Sequence, residues 1–251
     1  MIRTIDRKAR KERKEHDKRT RQKSTGVERL EERTVSSRKR LRAARLNAIV
    51  DVDAAARAGW QPLDVAKAYV DGGATFLQFR AKTMASGPFL EMAARVAELT
   101  RASAGILIVN DRADIARLAG ADGVHVGQED LAPALIRPLV EPGCLVGRST
   151  HTAGQLEAAC REPIDYVAIG PVFSTATKDT GYAAVGLDRV RAAAHVAESA
   201  ALPLVAIGGI TLERARMVLD AGASSVAVIG DLLAGGNPAG RVREYLRALG
   251  G

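Results

Sequence analysis

From Leu46 onward, short apolar runs alternate with longer stretches whose apolar residues recur at helical spacing. The runs predict strands at Ala48–Val52, Thr75–Phe79, Ile106–Val109, Gly123–Val126, Leu145–Ser149, Tyr166–Ile169, Leu204–Ile207 and Ser225–Ile229. Between them, Pro62–Gly72, Gly87–Ala102, Thr152–Cys160, Leu187–Ser199 and Leu212–Ala221 predict helices, and a helical pattern also begins at Arg112. Glycine marks the return to strand at Gly72-Gly73, Asp122-Gly123 and Gly222, as helix C-termini prefer. Strand and helix in eightfold alternation argue for an α/β chain whose residues 46–251 form one closed (β/α)8 TIM barrel. A doubly wound open sheet is the competing architecture.

Before Leu46 the pattern is absent. Residues 1–45 mix Lys, Arg, Glu and Ser with few large apolar side chains, so they cannot bury enough surface to offset the entropy of ordering. They read as a separate basic extension, disordered or loosely helical. Charge sharpens this division. The whole chain carries a net +8, yet residues 1–45 hold 18 Lys and Arg against 7 Asp and Glu, a net +11, which leaves the remainder at −3. A nucleic-acid reading therefore attaches to the arm alone, as non-specific contact with a phosphate backbone. The blander reading is a solvated extension.

The rest of the composition narrows the class. With 251 residues there is ample chain for a sizeable core. Two cysteines, Cys144 and Cys160, lie at no metal-ligand spacing and fit a reduced, cytoplasmic protein. Neither a secretory h-region nor an apolar run of membrane-spanning length is visible.

The candidate chemistry sits at strand ends, where parallel α/β folds bind ligands. After the second strand, Gln78, Arg80 and Lys82 alternate to one side, and two cations there suit a polyanion. After the third and fourth strands stand Asn110, Asp111 and Asp130, whose oxygens suit a hard cation such as Mg²⁺. Helix capping would explain the two Asp residues as well. His125, inside the strand, is expected to pack within the barrel. Ser149 closes the fifth strand, and no elbow motif or orienting carboxylate makes it a hydrolase nucleophile. A long loop after strand six carries Thr175, Thr177 and Lys178, hydroxyls and an ammonium able to hold a phosphate. Gly208-Gly209 after strand seven and Ile229-Gly230 after strand eight occupy the usual phosphate position of such barrels.

The segments NDRADIARLAGADGVHVGQEDL, STHT, GPVFSTATKD and AIGGI, in this order, resemble the thiamine-phosphate synthase family over about residues 46–250. The resemblance implies a Mg²⁺-dependent transferase of thiamine biosynthesis. Its two small-molecule substrates are 4-amino-5-hydroxymethyl-2-methylpyrimidine diphosphate and 4-methyl-5-(2-hydroxyethyl)thiazole phosphate. It implies Asp111 and Asp130 as metal ligands, and Gln78, Arg80, Lys82, Asn110, Ser149 and Lys178 as contacts to the pyrimidine diphosphate. Of these, Arg80, Lys82, Ser149 and Lys178 act in catalysis. Thr175, Thr177, Gly209, Ile229 and Gly230 fall where the thiazole phosphate is held. Phe79 and Ala81 depart from the Leu and Glu common in the family, and Gly230 from its common Ser. Two rivals remain: a thiazole tautomerase of the same fold, which has no diphosphate to hold, and a nucleic-acid binder acting through the arm. A homo-oligomer is compatible with the sequence, and no membrane partner is expected.

Overall fold

A computed structural model describes residues 35–174 and 181–250. Eight parallel strands pair in sequence order and close on themselves, β8 against β1. They are β1 (Leu46–Asp51), β2 (Phe76–Arg80), β3 (Ile106–Asn110), β4 (Gly123–Val126), β5 (Leu145–Thr150), β6 (Tyr166–Ile169), β7 (Leu204–Ile207) and β8 (Ser225–Val228). Closure excludes the open sheet. Strands alternate between two apolar layers, as the period of two demands. Leu77, Phe79, Leu107, Val109, Val124 and Val126 point outward beneath the helices. Ile49, Phe76, Ile106, Ile108, Leu145, Tyr166 and Val205 fill the barrel interior.

Helices α2 (Val52–Arg57), α3 (Pro62–Asp71), α4 (Ser86–Ala102), α5 (Ala113–Leu118), α6 (Pro133–Ile136), α7 (Ala153–Ala159), α8 (Gly186–Ser199), α9 (Leu212–Asp220) and α10 (Pro238–Leu249) surround the strands. The expected helices correspond to α3, α4, α7, α8 and α9. The pattern from Arg112 corresponds to α5. Unmarked in the sequence were α2, a short turn N-capped by Asp51, the single turn α6, and α10, which lies against α3 and α9. Where α3 ends, a Cβ on Gly72 would stand 2.7 Å from the Cβ of Val242, so glycine is what lets α10 seat there. Strand ends also shift by a residue or two: Arg80 and Asn110 belong to their strands and point with Gln78 and Ile108 into the barrel.

The expected extension needs correction at its C-terminal end. Residues 35–43 form a helix, α1, docked under the N-terminal mouth of the barrel. Leu41 and Ala44 join the interior cluster beside Ile49, Phe76 and Leu145, and Ser37 is buried with them. Arginines fix the helix to the rim. Arg38 pairs with Asp165 at 2.8 Å, Arg40 donates to the carbonyls of Ala104 and Gly105, and Arg42 to that of Ala201. Burying Leu41 contributes roughly 1.5–3 kcal/mol, which a solvated arm would forgo. Composition hid this, because one apolar residue among arginines suffices when the mouth supplies the other apolar surface. The rest of the arm, residues 1–34, with the nucleic-acid reading it carried, lies outside the described residues. Among the described residues no helix is long and apolar enough to cross a membrane.

Candidate active site

All the expected site residues that are described converge on the C-terminal mouth; Thr175, Thr177 and Lys178 lie outside the described residues. On one side, strands β1 to β4 assemble a charged cluster. Asp51, the register partner of Arg80, is buried and divides its carboxylate. Oδ1 accepts from the N–H of Ala54 at 2.8 Å, capping α2, and Oδ2 pairs with Arg80. Arg80 is thus held across two strands by a partner that sequence reasoning passed over. The signal was there: Asp51 ends an apolar run as Asp111 does.

Lys82, two residues beyond β2, pairs with Asp111. Asp111 adopts a left-handed backbone, φ 65°, uncommon for a residue with a Cβ and concentrated at functional positions. Its N–H donates to the carbonyl of His125 at 2.7 Å, which ties the end of β3 to β4. Burial pushes the Asp111 carboxyl above the ordinary range, and the adjoining Asp130 adds to this against the pull of Lys82. Asp130 accepts at Oδ2 from the N–H of Gly127 at 2.7 Å. Two carboxylates this close need a proton or a cation between them. Their oxygen donors fit Mg²⁺, which takes one or two carboxylates and fills its shell with water and phosphate oxygens. Among the described residues no third His, Cys, Asp or Glu joins them. Asn110 is buried beside them at the end of β3.

Across the barrel runs a polar chain in an otherwise apolar interior. Gln78 bonds the hydroxyl of Tyr166, which meets His125 Nδ1 at 3.0 Å, while His125 Nε2 meets Ser149 Oγ at 2.7 Å. One assignment serves every contact. The Gln78 amide donates to Tyr166, Tyr166 donates to Nδ1, and protonated Nε2 donates to Ser149, leaving the serine hydrogen to face a ligand. Burial raises the Tyr166 phenol far above its ordinary value, so it stays a donor. Gly147 makes room for this chain: a Cβ there would stand 2.1 Å from Tyr166 Cζ and 2.5 Å from His125 Nδ1. His125 does pack inside the barrel as expected, and it also orients Ser149. No sequence signal marked Tyr166, which is the first residue of its strand and looked like core.

On the other side, a cavity of about 480 Å³ opens between Ser149, Gly170, Ser174 and the loops after β7 and β8. Gly208 and Gly209 take φ of 103° and 61°. A Cβ at Gly209 would stand 2.6 Å from the carbonyl of Ser174, so the loop after β7 can press against the loop after β6 only as glycine. Ile229 and Gly230 face it and open a 3-10 turn, Gly230–Gly236. Behind that turn Asp231 is a junction. Its Oδ2 accepts from Leu212 N–H at 3.2 Å, Tyr245 Oη at 2.6 Å and Arg241 Nη2 at 2.9 Å, binding the turn to α9 and α10. The carboxylate raises the Tyr245 phenol further than burial alone does. The long loop returns at Tyr182, whose ring stacks on His151 with centroids 4.1 Å apart.

The mouth therefore offers a cation-and-carboxylate cluster on one side and a glycine cradle on the other, with Ser149 between. The chain is similar to several known proteins. Thiamine-phosphate synthase of Koribacter versatilis is 47% identical over 216 residues, 83% of this chain and 97% of that protein. The thiamine-phosphate synthase of Chloroflexus aurantiacus is 40% identical over 200 residues, 80% of this chain and 90% of that one. Among solved structures, thiamine phosphate pyrophosphorylase from Pyrococcus furiosus superposes with a TM-score of 0.74 at 28% identity, over 84% of this chain and 98% of that one. Orotidine 5'-phosphate decarboxylase from Pyrococcus horikoshii, 17% identical with a TM-score of 0.60, shares the fold alone. A profile of the family described as thiamine monophosphate synthase matches residues 46–232, and the chain belongs to that family.

Proposed function

We propose that the protein is a thiamine-phosphate synthase, joining 4-amino-5-hydroxymethyl-2-methylpyrimidine diphosphate to 4-methyl-5-(2-hydroxyethyl)thiazole phosphate with release of diphosphate. The observation that carries this reading is the pair of anion-suited regions at one mouth: Arg80, Lys82, Asp111 and Asp130 on one side, the loops of Gly209 and Gly230 on the other. A tautomerase would have no use for the first region.

In this reading the bond between the pyrimidylmethyl carbon and the diphosphate oxygen breaks, its electron pair leaving with diphosphate. The thiazole nitrogen then donates its lone pair to that carbon. Charge balances without a protein nucleophile. Arg80, kept in place by Asp51, and Lys82 meet the departing charge, joined by Lys178. Asp111 and Asp130 hold Mg²⁺, which neutralises diphosphate oxygens when bound. Gln78 and Asn110 contact the pyrimidine substrate, and Ser149 offers its hydroxyl hydrogen, oriented by His125. Thr175 and Thr177 with Gly209, Ile229 and Gly230 fix the thiazole phosphate, so that the nucleophilic nitrogen is aimed before the bond breaks.

The purified chain incubated with both substrates should form thiamine phosphate with Mg²⁺ and none after chelation. Asp130→Ala should abolish Mg²⁺-dependent turnover. Folded wild-type protein that makes no thiamine phosphate in either condition defeats the reading.

A further inference from the structure

The cavity between the loops after β6, β7 and β8 has one Lys or Arg among the described residues that line it, Arg214. We propose that Arg214 is a direct contact to the phosphate of the thiazole substrate and sets the preference for the phosphorylated form. This assignment rests on the function proposed above.

Three observations carry it. Arg214 sits in the first turn of α9, after the N-cap Thr211, where the helix dipole disfavours a cation. None of the ion pairs among the described residues includes it, whereas Arg216, two residues on in the same helix, pairs with Asp220. The exposed Glu213 beside it acts only through space, and a cation at such a place with no carboxylate in contact is suited to an anion that arrives from solution. The guanidinium is also held. It lies 4.8 Å from the centroid of the Phe173 ring, in the loop after β6, and its Nη1 donates to the carbonyl of Gly209 at 3.2 Å. Those contacts fix it at the rim beside the glycine loop while using one of five N–H donors. The planar fork that remains suits the two oxygens of a phosphate monoester. The one carboxylate lining the cavity, Asp231, is engaged by Arg241 and Tyr245 behind the turn, so it does not compete for the guanidinium.

The test uses the full chain as wild type, Arg214→Met and Arg214→Lys, each checked for an unchanged melting temperature. In Arg214→Met the KM for thiazole phosphate should rise roughly tenfold or more, the scale of one charge-assisted contact. The KM for the pyrimidine diphosphate and kcat at saturation should stay within about twofold, since this side chain meets neither that substrate nor the breaking bond. With the unphosphorylated thiazole alcohol, wild type and Arg214→Met should perform alike, and Arg214→Lys should recover part of the loss with the phosphate. A KM for thiazole phosphate within twofold of wild type in Arg214→Met overturns the assignment. Calorimetric titration with inorganic phosphate separates this from failure of the activity itself. Phosphate should bind wild type and bind Arg214→Met more weakly; equal binding by both, or none by wild type, sinks Arg214 whether or not thiamine phosphate is made.

Discussion

Asp111 combines three unfavourable conditions: a left-handed backbone, a mostly buried carboxylate and a second carboxylate beside it. Its pKa in the folded protein lies above the unfolded value, so its favourable contribution is present below about pH 4 and is lost as pH rises through the folded value. At neutral pH without metal the charge is a net cost. Asp111→Asn, which tolerates the left-handed conformation, should therefore melt higher than wild type in metal-free buffer, with the gap closing as pH falls towards 4. Scanning calorimetry at several pH values checks this. Mg²⁺ should raise the wild-type midpoint by binding the folded form and leave Asp111→Asn unmoved. A variant that melts lower than wild type at pH 7 contradicts this account. The carboxylates at 111 and 130 were visible in the sequence because each follows an apolar run. Asp51 follows one too, yet without its register partner Arg80 it read only as part of the first strand, Ala48–Val52. Tyr166 was hidden by its type and place, since an aromatic opening a strand is usually core, and only the register of β4, β5 and β6 brings it to His125 across Gly147.

At the level of elements, alternation of apolar runs located all eight strands and six of the helices. It failed where an element owes its stability to neighbours distant in sequence. Helix α1 is the clearest case: nothing within residues 35–43 marks it as core except Leu41, and the interior cluster that Leu41 joins is assembled from seven strands. Removing residues 1–45 should uncover the barrel floor and cost much of the stability. Leu41→Ala alone should cost about 2–5 kcal/mol in denaturant unfolding, the range for emptying a buried leucine site. A loss below about 0.5 kcal/mol, typical of a surface position, would show that the helix merely rests on the barrel. Any test of the arm for nucleic-acid binding must therefore cut at 34, because a cut at 45 damages the fold and mimics loss of function.

Across the whole molecule, the two mouths of the barrel divide the work. The N-terminal mouth is closed by α1 and its arginines, and the C-terminal mouth carries the charged cluster and the glycine cradle. Fold and the ends of strands were legible because eightfold alternation of strand and helix argues for a barrel, although only the pairing of β8 with β1 excludes the open sheet. The supports behind the site were not, because Asp231, Arg241 and Tyr245 meet only through packing of α10 on the turn after β8. Tyr245→Phe deletes the 2.6 Å bond to Asp231 and leaves a half-buried carboxylate one donor short. It should lower stability by about 1–3 kcal/mol and raise the KM for thiazole phosphate, with kcat nearly unchanged. A fall in kcat instead would place Tyr245 closer to the reacting atoms than its position behind the turn allows. That junction also has a temporal meaning. During synthesis all eight strands leave the ribosome before Arg241 and Tyr245 do, so a nascent chain can close its barrel while the cradle is still unbraced. The cradle, and with it the proposed grip on the thiazole phosphate, is then braced only once α10 has emerged.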